Sequence, residues 1–150
     1  MSLNNLDNLV KTGQLKKENY DANEFAGLLQ AGEARLLDAQ RTDLAIESRF
    51  DLAYNASHSL ALAALRSHGY RPQNKSGNRY VVFQAIVHTT GLSADVGRIL
   101  DQCHNKRNLA EYEGFLDISQ QLLTDLLTAT KKLLEKVKLF RNGDISHGQT

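Results

Sequence analysis

The sequence predicts an all-α protein, an antiparallel bundle of five to six helices. Three observations carry that expectation. Apolar residues recur at three- and four-residue spacing along most of the 150 residues. The only proline is Pro72, so long stretches are free to be helical. No strand-rich half exists from which an α/β sheet could be built.

The elements follow in order. Leu3, Leu6, Leu9 and Val10 trace a short N-terminal helix that Gly13 ends. A second helix opens at Asp21, with Glu24 three places on in the pattern of a capping box. Phe25, Leu28, Leu29, Gly32, Leu36 and Ala39 form its stripe, which fades near Arg41–Asp43. A third helix starts at about Ala45 or Glu47. Its stripe is Phe50, Ala53, Tyr54, Ser57, Leu60, Ala61, Ala64 and Leu65, rich in small residues that let a neighbouring helix approach closely. Gly69 and Pro72 in HGYRP end it, and QNKSGN, residues 73–78, reads as a polar loop.

RYVVFQAIVH, residues 79–88, has the β-branched content of a strand but no partner strand, and is read as a short buried helix ended by Gly91. Ser93 is the N-cap of the next helix, whose stripe is Val96, Leu100, Cys103, Arg107 and Ala110. The last helix is expected to run unbroken over residues 115–140. Leu116, Ser119, Leu123, Leu126, Thr130, Leu133, Val137 and Phe140 form its seam, widened by Leu122, Leu127 and Leu134. One domain is expected over residues 1–150, with a core at about 21–140 and a frayed tail at 142–150.

Composition narrows the function classes. With 41% hydrophobic and 23% charged residues the chain should fold. A net charge of +1 argues against general DNA binding, which needs a large basic excess. The single cysteine, Cys103, excludes an intramolecular disulfide and fits a reducing compartment. No apolar run is long enough to span a membrane and no signal-peptide layout opens the chain, so a cytoplasmic protein is expected.

The segment HNKRNLAEYEG, residues 104–114, carries the candidate site. Arg107 falls where the stripe expects an apolar residue, and a charge on a core face costs several kcal/mol unless it is paired or reaches solvent. Three explanations stand at this point. Arg107 pairs with Glu111 one turn along, it snorkels at the edge of the stripe, or it lines a cleft and binds an anion such as phosphate.

At RNLAEY and the apolar helix after it, GFLDISQQLLTDLLTATKKLLEKVKLF, the chain resembles the HEPN superfamily of helical bundles. The upstream LLQAGEARLLDAQ and ESRFDLAYNASHSLALAALRSHGYRP are similar to that family's paired first helices, so the resemblance covers about residues 21–140. Catalytic members carry an arginine, four to six residues, then a histidine. They are metal-independent ribonucleases, often toxins of toxin–antitoxin pairs, with the site formed between two subunits. Carried over by position, Arg107 matches the arginine, Asn108 the polar residue beside it, and Tyr112 stands where the histidine is expected.

A phenol with an ordinary pKa near 10 is a poor base at neutral pH. The resemblance therefore implies the non-catalytic branch, a dimeric binding or scaffold protein with Arg107, Asn108, Glu111 and Tyr112 as ligand-binding residues. It also implies a nucleotide or RNA ligand and a nucleotidyltransferase-like partner. The alternative is a metal-independent ribonuclease that uses Arg107 with Tyr112, His104 or Glu111.

Arg98 and His104 also fit the family's spacing by count, but six positions on a straight helix leave them about 120° apart. The remaining histidines suggest no metal site. His58 and His68 are ten residues apart, His88 suits a helix end, His147 is in the tail, and Cys103 beside His104 is not a zinc pattern. No cofactor is expected, because no Gly-rich phosphate loop occurs. His68, Arg71, Lys75 and Arg79 give the loop region a basic character, read either as a solvated loop or as a phosphate-backbone patch.

Overall fold

A computed structural model describes residues 2–73 and 78–141, with the side chains of residues 2–4 and 78 left out of account. The helices are α1 (Ser2–Lys11), α2 (Ala22–Ala39), α3 (Ile46–Ser67), α4 (Asn78–Gln84), α5 (Ile86–Thr90), α6 (Ala94–Glu113) and α7 (Gln120–Lys138). Two three-residue strands, β1 (Leu15–Lys17) and β2 (Tyr70–Pro72), pair antiparallel with Lys16 opposite Arg71. The architecture is the all-α bundle that the periodicity predicts. The small ladder is absent from that expectation because three residues are too few to show alternation. Among the described residues no helix is long and apolar enough to cross a membrane.

The helix α3 is the axis of the bundle, and α2 runs antiparallel along it. Arg49 Nε donates to Ala39 O, Gly32 faces Leu60, and Arg66 Nε donates to Glu24 Oε1, so the two sequences are read in opposite directions. The small residues of α3 do what their size suggests. Ala53, Ala56, Ala61, Ala63 and Ala64 are all buried. Gly32 completes the close approach, for a Cβ built there would lie 2.6 Å from Leu60 Cγ.

Caps and breaks explain the element ends. Asp21 accepts from the backbone N–H groups of Asn23 and Glu24, which fixes the start of α2. Glu24 does not complete the capping box; its carboxylate turns to Arg66 and Arg71 instead. Ser93 has the backbone of an N-cap but makes no capping hydrogen bond. Residues 79–88 are helical as expected, but the segment breaks at Ala85 into α4 and α5. Gly91 then ends α5 in the left-handed conformation.

One boundary needs correction. The final helix does not begin at residue 115. Gly114 caps α6 with φ 80°, residues 115–119 are non-helical, and α7 starts at Gln120 behind the N-cap Ser119, whose hydroxyl accepts from Leu122 N–H. Three-four spacing continues through Leu116 and Ser119, but a seam only says where side chains point. A local cap sets where the backbone turns. The expected tail at 142–150 and Lys75 of the loop lie outside the described residues.

Candidate functional site

The site is built on α3, α4 and α6. The helix α3 presents Asp51, Tyr54, Asn55 and His58 at one-turn spacing, and α6 presents His104, Arg107 and Asn108 in the opposite direction. From α4 come Arg79, Tyr80 and Phe83.

At the centre is Tyr54, whose ring is buried. Two guanidinium groups lie over it, Arg79 Cζ at 5.4 Å and Arg107 Cζ at 5.7 Å from the ring centroid. Each is within the range of a cation–π attraction. The Tyr54 hydroxyl lies 2.9 Å from His104 Nδ1, and Asn108 Nδ2 lies 3.2 Å from His104 Nε2. Phe83 packs against Tyr54, His58 and His104 together, at ring separations of 5.6, 5.8 and 6.0 Å.

The position of Arg107 answers the question its place in the stripe raises. No ion pair forms with Glu111, which is exposed. Arg107 Nε instead faces Asp51 Oδ1 across the α3–α6 seam at 3.3 Å. The two atoms are buried, yet their alignment falls short of a hydrogen bond. The terminal nitrogens of Arg107 have no protein acceptor among the described residues. Arg79 has one, Asn55 Oδ1 at 3.3 Å from Nη1. Two cations thus share one aromatic ring with more donors than the protein satisfies.

The histidines beside them are held neutral. Burial depresses the His104 pKa, with Asp101 pulling the other way and Arg79 adding to the depression. His58 is pushed down to about 4, chiefly by burial and further by Arg79 and His104. A neutral imidazole has one donor and one acceptor nitrogen, which is what the Tyr54 hydroxyl and the Asn108 amide can complement. Burial raises the Tyr54 phenol, so it remains protonated.

These depressed histidines predict a pH dependence of folding. Below the ordinary value of 6.5 the unfolded chain takes up protons that buried His58, His68 and His104 resist. Stability is therefore expected to fall as the pH drops from about 6.5 towards about 4, the folded value of His58. Thermal melts of wild type and His58→Gln across that window check it. A flatter slope in the variant is the expected result.

Of the sequence-predicted site residues, Arg107, Asn108 and His104 come together. Tyr112 does not join them. It is 90% exposed, and five positions from Arg107 on α6 place it about 140° away around the helix. Arg98 pairs with Asp95 on its own helix and does not meet His104. The basic region around residues 68–79 is not one patch, because His68 packs edge-on against Phe140 and Arg71 is paired with Glu18 and Glu24. Arg79 alone of its described members reaches the site.

Asp51, Tyr54, His58 and Phe83 are absent from the expected set. Their signal is the polar series Asp51, Asn55, His58 beside the apolar stripe of α3, one turn apart each time. Cys103 is buried and its thiol is pushed up to about 12 by burial, so it is an inert core residue. Among the described residues no three His, Cys, Asp or Glu side chains gather to hold a metal ion.

The fold and site define a helical bundle with a cationic aromatic cluster between its central helix and α6. No family model, curated protein or solved structure matches the chain.

Proposed function

We propose that this is a binding or scaffold protein, HEPN-like and dimeric, that holds a phosphate group of a nucleotide or RNA on Arg79 and Arg107. The observation that carries this reading is a pair of guanidiniums over one buried ring, with Arg107 Nε left without a hydrogen-bond acceptor. A guanidinium fork matches phosphate geometry, and the terminal nitrogens of Arg107, which face no protein acceptor among the described residues, are the donors a bound anion would use. The exposed Asn108 amide, whose nitrogen lies against His104 Nε2, adds a polar group beside them.

The dimer is supported by the family resemblance and by an exposed apolar group at the end of α6. Leu109, Tyr112 and Phe115 are 49%, 90% and 63% exposed, an area that a second copy would cover. The resemblance extends the reading to a toxin–antitoxin or nucleotide-transfer system with a nucleotidyltransferase-like partner.

A second reading, a metal-independent ribonuclease, is favoured by one specific observation. His104, an imidazole able to act as a base, stands one helical turn from Arg107. Incubation of the full chain with labelled RNA in a chelator separates the two. Binding that is retained without cleavage is expected. Cleavage abolished by His104→Gln would establish the second reading, and absence of binding to pyrophosphate and RNA alike at millimolar concentration would end both. Sedimentation at micromolar concentration is expected to show a dimer; a lone 16.7 kDa species contradicts that part.

A further inference from the structure

A cleft of about 250 Å³ opens between α4–α5 and α6. Tyr80, Phe83 and Val87 form its apolar wall, and Gly97 and Asp101 face them from α6. We infer that this cleft is a second binding site, for a small primary ammonium carried on an aromatic ring, with the ammonium on Asp101 and the ring against Tyr80 and Phe83. The inference stands apart from the phosphate reading, since neither Arg79 nor Arg107 lines the cleft.

Charge is the first support. Asp101 makes no hydrogen bond or ion pair among the described residues. The other charged residue on the lining, Arg98, is held by Asp95 on its own helix. The cleft thus presents one carboxylate that no protein cation neutralises. An ionised carboxylate only accepts hydrogen bonds, so its complement is a cationic donor.

Donor count is the second. A primary ammonium has three donors. Asp101 takes one or two, and the Gln84 amide oxygen, also on the lining and without a hydrogen bond among the described residues, can take another. A quaternary ammonium would leave both acceptors without a donor. The half-exposed Tyr80 ring adds an aromatic face beside the charge.

Shape is the third. Gly97 lies one turn before Asp101 on the same face of α6. A Cβ there would meet Val87 Cγ1 at 3.5 Å, an ordinary contact, so packing does not demand the glycine. The missing side chain leaves room for a ring between Val87 and α6. The cleft is smaller than the roughly 300–1,000 Å³ of a site for a drug-sized ligand, and suits one ring on a short chain.

The test is calorimetric titration of the full-length chain with phenethylamine and with its neutral counterpart, 2-phenylethanol. The amine is expected to bind roughly tenfold more tightly or better, the worth of a charged hydrogen bond. Asp101→Asn should bring the amine down to the level of the alcohol. If that variant fails to fold, the wild-type His104 ring serves as the second readout. Burial lowers the His104 pKa and Asp101 opposes it, so an ammonium that offsets the Asp101 charge should lower that pKa further at saturation. Equal affinities for amine and alcohol would overturn the inference. So would amine binding that survives Asp101→Asn, amine binding that leaves the His104 titration unchanged, or no amine binding at millimolar concentration.

Discussion

Replacing Arg107 by methionine should leave the helical fold intact and remove most phosphate binding. The structural cost is small. The ion pair with Asp51 is 3.3 Å long and poorly aligned, with side chains 34% and 46% exposed. A pair of that kind contributes about 0–1 kcal/mol. Methionine keeps an unbranched apolar stem against Tyr54 and removes a charge from an otherwise apolar stripe, which offsets part of the loss. The melting temperature should therefore move by no more than about 4 °C. Binding of pyrophosphate should weaken by about 1.5–3 kcal/mol, the worth of a charged hydrogen bond, or roughly tenfold to 150-fold. A variant that melts well above wild type and still binds pyrophosphate equally would make Arg107 a structural residue.

Arg66 is the opposite case, an arginine whose loss should damage the fold. Its side chain is 1% exposed. It donates to Glu24 Oε1 at 2.7 Å, Glu18 O at 3.0 Å, Tyr70 O at 3.2 Å and Asn19 O at 2.6 Å. It thereby ties the end of α3 to the first turn of α2 and to the segments flanking the β1–β2 ladder. Burial pushes the Glu24 carboxyl up, but hydrogen bonds from Arg66 and Arg71 outweigh it and hold the group below its ordinary value.

Arg66→Met leaves three carbonyls without that donor and removes one partner of a buried ion pair. The expected loss is about 3–5 kcal/mol. Arg66→Lys should recover only part of it, because a compact ammonium has three donors and cannot reproduce the planar fork. Urea denaturation of the three proteins measures this. A loss below about 1 kcal/mol for the methionine variant would contradict it.

The contrast between these arginines shows what the sequence could and could not reveal. Both interrupt helices with strong three-four spacing, and spacing alone marks Arg107 as anomalous because its neighbours 96, 100 and 103 are apolar. It does not identify the partner, Asp51, which is 56 positions away and meets Arg107 only because α3 and α6 run antiparallel. Arg66 went unmarked for the same reason. Its acceptors include backbone carbonyls of residues 18 and 19, and carbonyls leave no signature in a sequence. The bundle was legible because burial repeats along each helix. The cluster around Tyr54 was not, because it depends on which faces of three helices meet. Within it, the stripe marks Arg107, the family resemblance adds Asn108, and His104 is the alternative partner in the same segment; Tyr112, carried over from the position of the family's histidine, is exposed and points elsewhere.

The central claim is that a phosphate group sits between Arg79 and Arg107, beside His104. The most direct test is the titration of the His104 ring, followed by nuclear magnetic resonance with and without saturating pyrophosphate. The free protein should hold His104 below its ordinary value, for burial and Arg79 both disfavour the imidazolium while Asp101 opposes them only in part. A bound phosphate adds negative charge next to the ring and favours the protonated form, so the His104 pKa should rise on saturation. In Arg107→Met at the same pyrophosphate concentration the rise should be lost. Pyrophosphate that leaves the wild-type His104 titration unchanged, at a concentration where it binds the protein, would contradict the account.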